Sequence, residues 1–464
     1  MNFTHSHFLF TFPLFIIPFW CLRGWPQKLW LLLASYTFYA YFSLPYALLL
    51  VASTFVDYAL GLWMVSRPNR KKTWAVLSIL FNLGLLASFK YASFLFNDIL
   101  LPLNQALGLG QLEAIGKGLP PMGISFFTFQ TLSYSLDIYR GQLKPTRNLL
   151  DFSVYVSMFP QLVAGPIVRA KDLLHQITGR CRFVLEDVRE GLKRFAIGLM
   201  KKICLADALA ITMVDPVFNH LGDHGPEART IAVFAYSLQI YFDFSGYSDM
   251  AIGLGRMMGF TFPENFRHPY QATSFSDFWK RWHISLSSWL RDYLYIPLGG
   301  NRQGPTRTQV NLMLTMVLGG LWHGASWRFV LWGFLHGLFL VFQRIGGKLL
   351  PGGLHVTVAI PLVFLFVSLA WIPFRAESFN DILPIALAPL QCSIEGWSSW
   401  FMNHGNAMIL LLLSALAHWH PLLKKACRWE QWPLEIKTVF FSSFLFWAIS
   451  LKPSGASPFI YFQF

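Results

Sequence analysis

The chain has 464 residues, 54% of them hydrophobic and only 13% charged, with a mean hydropathy of +0.44. Soluble domains carry about 25% charged residues, so this composition excludes a soluble chain and indicates a polytopic membrane protein. The net charge of +14 falls in short loops between apolar runs. That is the positive-inside pattern that sets topology, and it does not indicate nucleic-acid binding.

In chain order, the apolar run 1–22 has no basic residue before it, and its first charges, Arg23 and Lys28, follow it. No cleavable signal peptide is expected. Uncharged runs of 28 residues (29–56) and 26 residues (349–374) exceed the roughly 20 needed to cross hydrocarbon. Arg23 and Lys28, and the group Arg67, Arg70, Lys71 and Lys72, are both read as cytoplasmic. Two spans therefore lie between them, turning near Leu44 and Pro45. Residues 73–97 cross outward, 98–118 lie along the outer surface, and 123–139 return to Arg140, Lys144 and Arg147. The run 152–168 is broken by Pro160, Gly165 and Pro166, and is expected to enter and leave on one side as a re-entrant or interfacial element.

Residues 171–195 are charged and amphipathic, suited to the cytoplasmic surface. A span near 196–214 leads to an acidic outer loop with Asp215, Asp223 and Glu227. The stretch 230–260 returns carrying Asp243, Asp249 and Arg256, and the basic stretch 267–307 is cytoplasmic by charge. Two spans fit 308–343, with His323 near their turn or at mid-depth. Further apolar runs are 349–374, 405–421 and 438–451. The expectation is an all-α integral membrane protein with about ten to twelve crossings, forming a single domain over 1–464 whose motifs fall in about 120–345.

The basic stretch is expected to hold one amphipathic helix, starting where Ser274 and Asp277 offer a cap. At 100° per residue, Trp279, Trp282, His283, Leu286, Trp289, Leu290 and Tyr293 share an arc of about 120°. Lys280, Arg281, Ser285, Ser287, Ser288, Arg291 and Asp292 occupy the rest. Such a helix lies at the interface or lines a wet cavity.

His323 sits in the uncharged run 308–327, flanked by Gly319, Gly320 and Gly324. An ionisable residue inside an apolar span marks a functional site unless it serves as packing glue between helices. His283 can be functional or can snorkel from its tryptophan face. His336 is read as packing, and His418 and His420 as a span boundary. Asp243, Ser245, Tyr247, Ser248 and Asp249 indicate one of two things: backbone unwound around a cavity, or carboxylates paired with Arg256, Arg281 or Arg291. Five scattered cysteines (Cys21, Cys181, Cys204, Cys392 and Cys427) form no CxxC pair, and no histidine spacing suits a metal. Ser245 in FSGYS lacks a nucleophile-elbow context, and there is no Walker loop. The residues suit general-base catalysis on a hydroxyl with a pre-activated anionic donor, and equally a proton-coupled transporter.

The stretches QIYFDFSGYSDMAIGLGRMMGF (239–260), FRHPYQATSFSDFWKRWHISLSSWLRDYLYIPLGGNR (266–302) and GGLWHGASW (319–327) resemble the bacterial branch of the membrane-bound O-acyltransferase family. GISFFTFQTLSYSLDIYRG (123–141) and FPQLVAGPIVRA (159–170) fit the same branch. The resemblance implies a ring of helices around a thin central region, with the family's histidine at His323 and the branch's second histidine at His283. It implies acyl transfer from a cytoplasmic thioester, acetyl-CoA in the first instance, with no bound cofactor. The acetyl group would cross the bacterial inner membrane to periplasmic polysaccharide acetyltransferase proteins, alginate being the expected polymer. Cellulose, peptidoglycan and D-alanylated teichoic acid are the alternatives. A transporter would show broken helices in two similar halves, and none is visible in the sequence. Within this reading Trp282, Tyr241 or His283 would polarise the thioester carbonyl. Arg281, Arg291, Arg302 or Arg307 would meet donor phosphates, and Asp243 joins the substrate-binding residues.

Overall fold

The computed structural model describes residues 3–4, 6–109, 112–116, 118, 120–179, 181–349 and 354–426. Beyond these it describes 433, 435, 436, 439, 443, 459 and 460. Among the described residues the chain is helical throughout and contains no strand. It divides into two units, Met1–Ala196 with Ser248–Glu264, and Ile197–Tyr247 with Asn265–Phe464.

In the first unit, helices Trp25–Ala40 and Leu44–Ser66 form the expected pair, turning at 41–43. Each has a proline in its first turn, Pro26 and Pro45, where the ring's fixed φ suits a helix start and the missing N–H costs nothing. Helical structure then runs over Pro68–Leu107, with wider π-helical turns at Ala87–Tyr91 and Leu95–Leu100. It therefore continues through 98–107, part of the stretch expected along the outer surface. Helix Ile124–Tyr139 is almost wholly buried. Polar side chains stitch these elements together: Asp57 accepts from Ser78 (3.0 Å) and Asn82 (2.8 Å), and Thr131 donates to Asn82 (2.7 Å). Inside a bundle such bonds satisfy groups that would be costly left unpaired. Residues 149–162 are split into Leu149–Ser157 and Phe159–Leu162, and 151–170 are buried throughout. The break before Pro160 is the one anticipated from that proline.

Helix Pro226–Met257 is unbroken over 32 residues. The polar run 243–249 therefore does not unwind around a cavity, because its carboxylates are satisfied by side chains. In the first unit Arg194 holds Asp249 (2.9 Å) and Glu264 (2.5 Å), while Arg256 holds Asp187 (3.2 Å). The arginine partners expected for Asp249 are thus replaced by one on helix Leu185–Met200.

In the second unit, helices Gly304–His323 and Trp327–Leu349 form the hairpin anticipated over 308–343, with its turn at 324–326. Glycine permits this close crossing. A Cβ on Gly320 would strike the Phe329 carbonyl and lie 3.1 Å from Gly333 Cα, and one on Gly333 would strike the Met316 carbonyl. Helices Val356–Arg375 and Gly405–Ala426 match two of the remaining apolar runs. The third, 438–451, lies largely outside the described residues. Among the described residues, four helices are long and apolar enough to cross a membrane: Leu44–Ser66, Pro68–Leu107, Trp327–Gly346 and Val356–Arg375. Ile394–Asn403 with Gly405–Trp419, bent by 91°, makes a fifth if the pair is one span. The expected count of about ten to twelve would draw further on helices that are shorter, broken or lined with polar residues.

Candidate functional site

His323 ends helix Gly304–His323, and Gly324 continues in extended backbone. A Cβ on Gly324 would overlap the Phe329 ring, so glycine lets the turn close beneath that ring. The imidazole is 4% exposed. Its ring centroid lies 5.0 Å from both Trp322 and Trp332, 5.4 Å from Phe374, and 6.4 Å from His283.

His283 departs from the sequence reading in its backbone. The stretch expected as one amphipathic helix is two helices, Phe275–Arg281 and Ile284–Leu290, followed by a π-helical turn Arg291–Tyr295. Ser274 caps the first as anticipated, accepting from the Asp277 N–H at 3.1 Å. Trp282 is extended, and His283 is left-handed at φ 43°. Besides His283, His268 is the one other described non-glycine residue with positive φ. Such a conformation costs on the order of 1–2 kcal/mol and persists only where surroundings enforce it.

The enforcing segment is 265–267. The Arg267 N–H donates to the Arg281 carbonyl (2.9 Å), and the Ile284 N–H donates to the Asn265 carbonyl (2.9 Å). The Asn265 side-chain Oδ1 accepts from the Ser285 N–H (3.2 Å) and Oγ–H (2.9 Å), and stands 3.2 Å from His283 Nδ1. Groups that a continuous helix would bond to one another are bonded here to a neighbouring strand of backbone. The single arc of seven residues does not survive the break.

The break turns His283 inward. It is fully buried, edge-on to Phe244 at 4.6 Å and 6.0 Å from Trp322. Phe266 joins the other sequence candidates to it. Its ring lies 5.0 Å from Trp282, 6.0 Å from Tyr241 and 6.5 Å from His283. Trp282 also packs on Phe278 and Trp371, and Tyr241 on His418 at 4.5 Å. His418 is therefore a buried element of this aromatic core rather than a span boundary. His336 packs as expected, with Trp332 lying between it (4.7 Å) and His323.

The charged candidates are engaged elsewhere. Asp243 is 1% exposed and bound by Lys202 (2.5 Å), which also holds Asp207 (2.7 Å), and it accepts from the Ile460 N–H (2.9 Å). Its partner is that lysine, not Arg256, Arg281 or Arg291. Arg281 binds Asp277 (2.9 Å) and Arg291 binds Asp292 (2.7 Å), which raises the Arg291 pKa further. Arg291, Arg302 and Arg307 are exposed, as groups that meet phosphates from solution must be. Asn265, Phe266, Trp332, Phe244, Phe374 and Lys202 are among the residues here that sequence reasoning did not single out.

A model of the MBOAT, membrane-bound O-acyltransferase family, matches residues 27–351. The chain is similar to the "Probable alginate O-acetylase AlgI" of Pseudomonas syringae pv. tomato, with 43% identity over 82% of this chain and 73% of the relative. It is 35% identical to a "Peptidoglycan O-acetyltransferase" of Helicobacter pylori over 87% of this chain and 85% of the relative. Similarity to a "Teichoic acid D-alanyltransferase" of Bacillus subtilis is 27% over 56% of this chain and 69% of that protein.

Proposed function

Because the chain belongs to the membrane-bound O-acyltransferase family, we propose that it is the inner-membrane O-acetyltransferase of an exported polysaccharide, taking acetyl from a cytoplasmic thioester, acetyl-CoA. The observation that carries this reading is the pair His323 and His283, ring to ring at 6.4 Å and enclosed by Trp322, Trp332 and Phe374. The 43% relative, named for alginate, supports alginate over the peptidoglycan of the 35% relative. Periplasmic polysaccharide acetyltransferase proteins receive the acetyl group in this reading, and 1–464 acts as one domain.

A thioester is already activated, so the protein has to deprotonate the acceptor, hold the carbonyl and exclude water. His323 takes the acceptor hydroxyl's proton as its oxygen bonds the acyl carbon. The C–S bond then breaks, and the proton passes to the departing thiolate. Trp282 and Tyr241 are the candidates to hydrogen-bond the donor's carbonyl beside it, and His283 is the candidate to accept a hydrogen bond from the substrates there. Arg281, Arg291, Arg302 and Arg307 are the candidates for its phosphates. Asp243, held by Lys202 and Ile460, is left to structure.

The test is label transfer from radiolabelled acetyl-CoA to polymer in membranes carrying the protein and its periplasmic machinery. His323→Ala should reduce transfer at least the 10²-fold typical of a lost general base. His323→Gln should be nearly as inactive, since glutamine hydrogen-bonds but takes no proton at neutral pH. Normal transfer by the Gln variant at wild-type abundance would remove His323 from the base role. Label in peptidoglycan instead of alginate would reassign the acceptor.

A further inference from the structure

We infer that Asn265 is a positioning residue that fixes the proton of His283 on Nδ1 and leaves Nε2 as its basic nitrogen. The inference rests on the acyl-transfer reading and deepens it, since it states in which form the second histidine meets its substrates.

The orientation of Asn265 is decided by the backbone. The Ser285 N–H, 3.2 Å away, can only donate, so the Asn265 atom facing it is the oxygen and not the amide nitrogen. That same Oδ1 lies 3.2 Å from His283 Nδ1. A carbonyl oxygen only accepts, so Nδ1 carries the hydrogen and donates. In a neutral imidazole the other nitrogen, Nε2, then holds the lone pair.

The backbone gives a second, independent line. His283 is held left-handed at φ 43° by the Asn265 carbonyl, which takes the Ile284 N–H at 2.9 Å. One residue thus sets the ring's tautomer through its side chain and the ring's placement through its main chain. It is 1% exposed, so water does not compete for these bonds. Among the described residues, the rings packed on His283 from other elements include Phe244, Phe266 and Trp322, all uncharged, and His323, which is titratable. Metal-site histidines are oriented by the same device, an acceptor on the far ring nitrogen that fixes tautomer and direction.

Two measurements test this. The first is the 15N spectrum of histidine-labelled protein in lipid, with the His283 signals identified by their loss in His283→Gln. The expected result is a protonated Nδ1 and an unprotonated Nε2 in the wild type, with that signature lost or mixed in Asn265→Leu. A protonated Nε2 in the wild type overturns the inference. The second is the pH–rate profile of acetyl transfer from acetyl-CoA. Asn265→Asp keeps shape and acceptor but adds a negative charge that favours the imidazolium, so activity should fall off on the acid side about one unit higher than in wild type. Asn265→Leu should lose activity about tenfold or more at equal abundance, and an Asp variant indistinguishable from wild type across pH counts against the inference. If wild type transfers no acetyl group, the acetyltransferase reading fails, and the 15N result alone decides the role of Asn265.

Discussion

At Lys202 one ammonium serves two carboxylates, Asp207 and Asp243, with all three side chains no more than 5% exposed. Burying ions costs several kcal/mol each before pairing offsets it, and removing one partner of a buried set typically costs about 3–5 kcal/mol. Lys202→Met strands both acids, so it should lower the melting temperature by roughly 3–5 °C for a chain of this size. Asp243→Asn leaves a one-to-one pair and still offers an oxygen to the Ile460 N–H, and should cost less than half as much. Melting of the purified protein in detergent checks the order, and equal effects of the two substitutions would contradict it. Sequence reading recognised Asp243 as an expensive buried acid but misassigned its partner. Arg256, Arg281 and Arg291 are near in sequence or on a neighbouring motif, whereas Lys202 is brought in only by the fold. Asn265 escaped notice for a related reason. It stands one position before the recognised stretch 266–302, and an asparagine signals nothing locally until the histidine 18 residues later folds against it.

The hairpin Gly304–His323 and Trp327–Leu349 was legible because its features are local: an uncharged run, glycines at contact spacing and a single histidine near the turn. Its crossing depends on Gly333, where a methyl group would meet the Met316 carbonyl. Gly333→Ala should destabilise by about 1–3 kcal/mol, the usual cost of overpacking, and should reduce acetylation by displacing His323. Gly346→Ala on the same helix has nothing within 4 Å of the new Cβ, and should be neutral or stabilising by up to about 1 kcal/mol. Thermal melting and acetyl transfer of the two variants compare them directly, and identical behaviour would mean that the glycine crossing is not what holds the hairpin. The stretch 275–293 shows the opposite case. Its periodicity favours one helix, and Ser274 caps it as read, yet segment 265–267 takes the hydrogen bonds at 281 and 284 and divides it. Periodicity reports the preference of a segment for itself, and it carries no information about a competing acceptor some twenty residues back.

For the whole molecule, composition decided the class, and charge in the loops decides orientation. Residues 67–72 and 140–147 should lie on the same, cytoplasmic face, since each basic cluster disfavours translocation. Single cysteines placed there in a variant lacking the five native ones should react with membrane-impermeant thiol reagents only after the membrane is opened. Labelling of either from the outside of intact membranes would overturn the orientation. The bond from the Ile460 N–H to Asp243 also bears on the time the chain takes to be made. The two residues are 217 positions apart, so at about 5–20 residues per second Asp243 enters the membrane roughly 10–40 s before that donor has been synthesised. Through that interval Lys202, made earlier, is the partner already at hand. A nascent chain stalled before residue 460 would therefore hold a carboxylate oxygen without this bond.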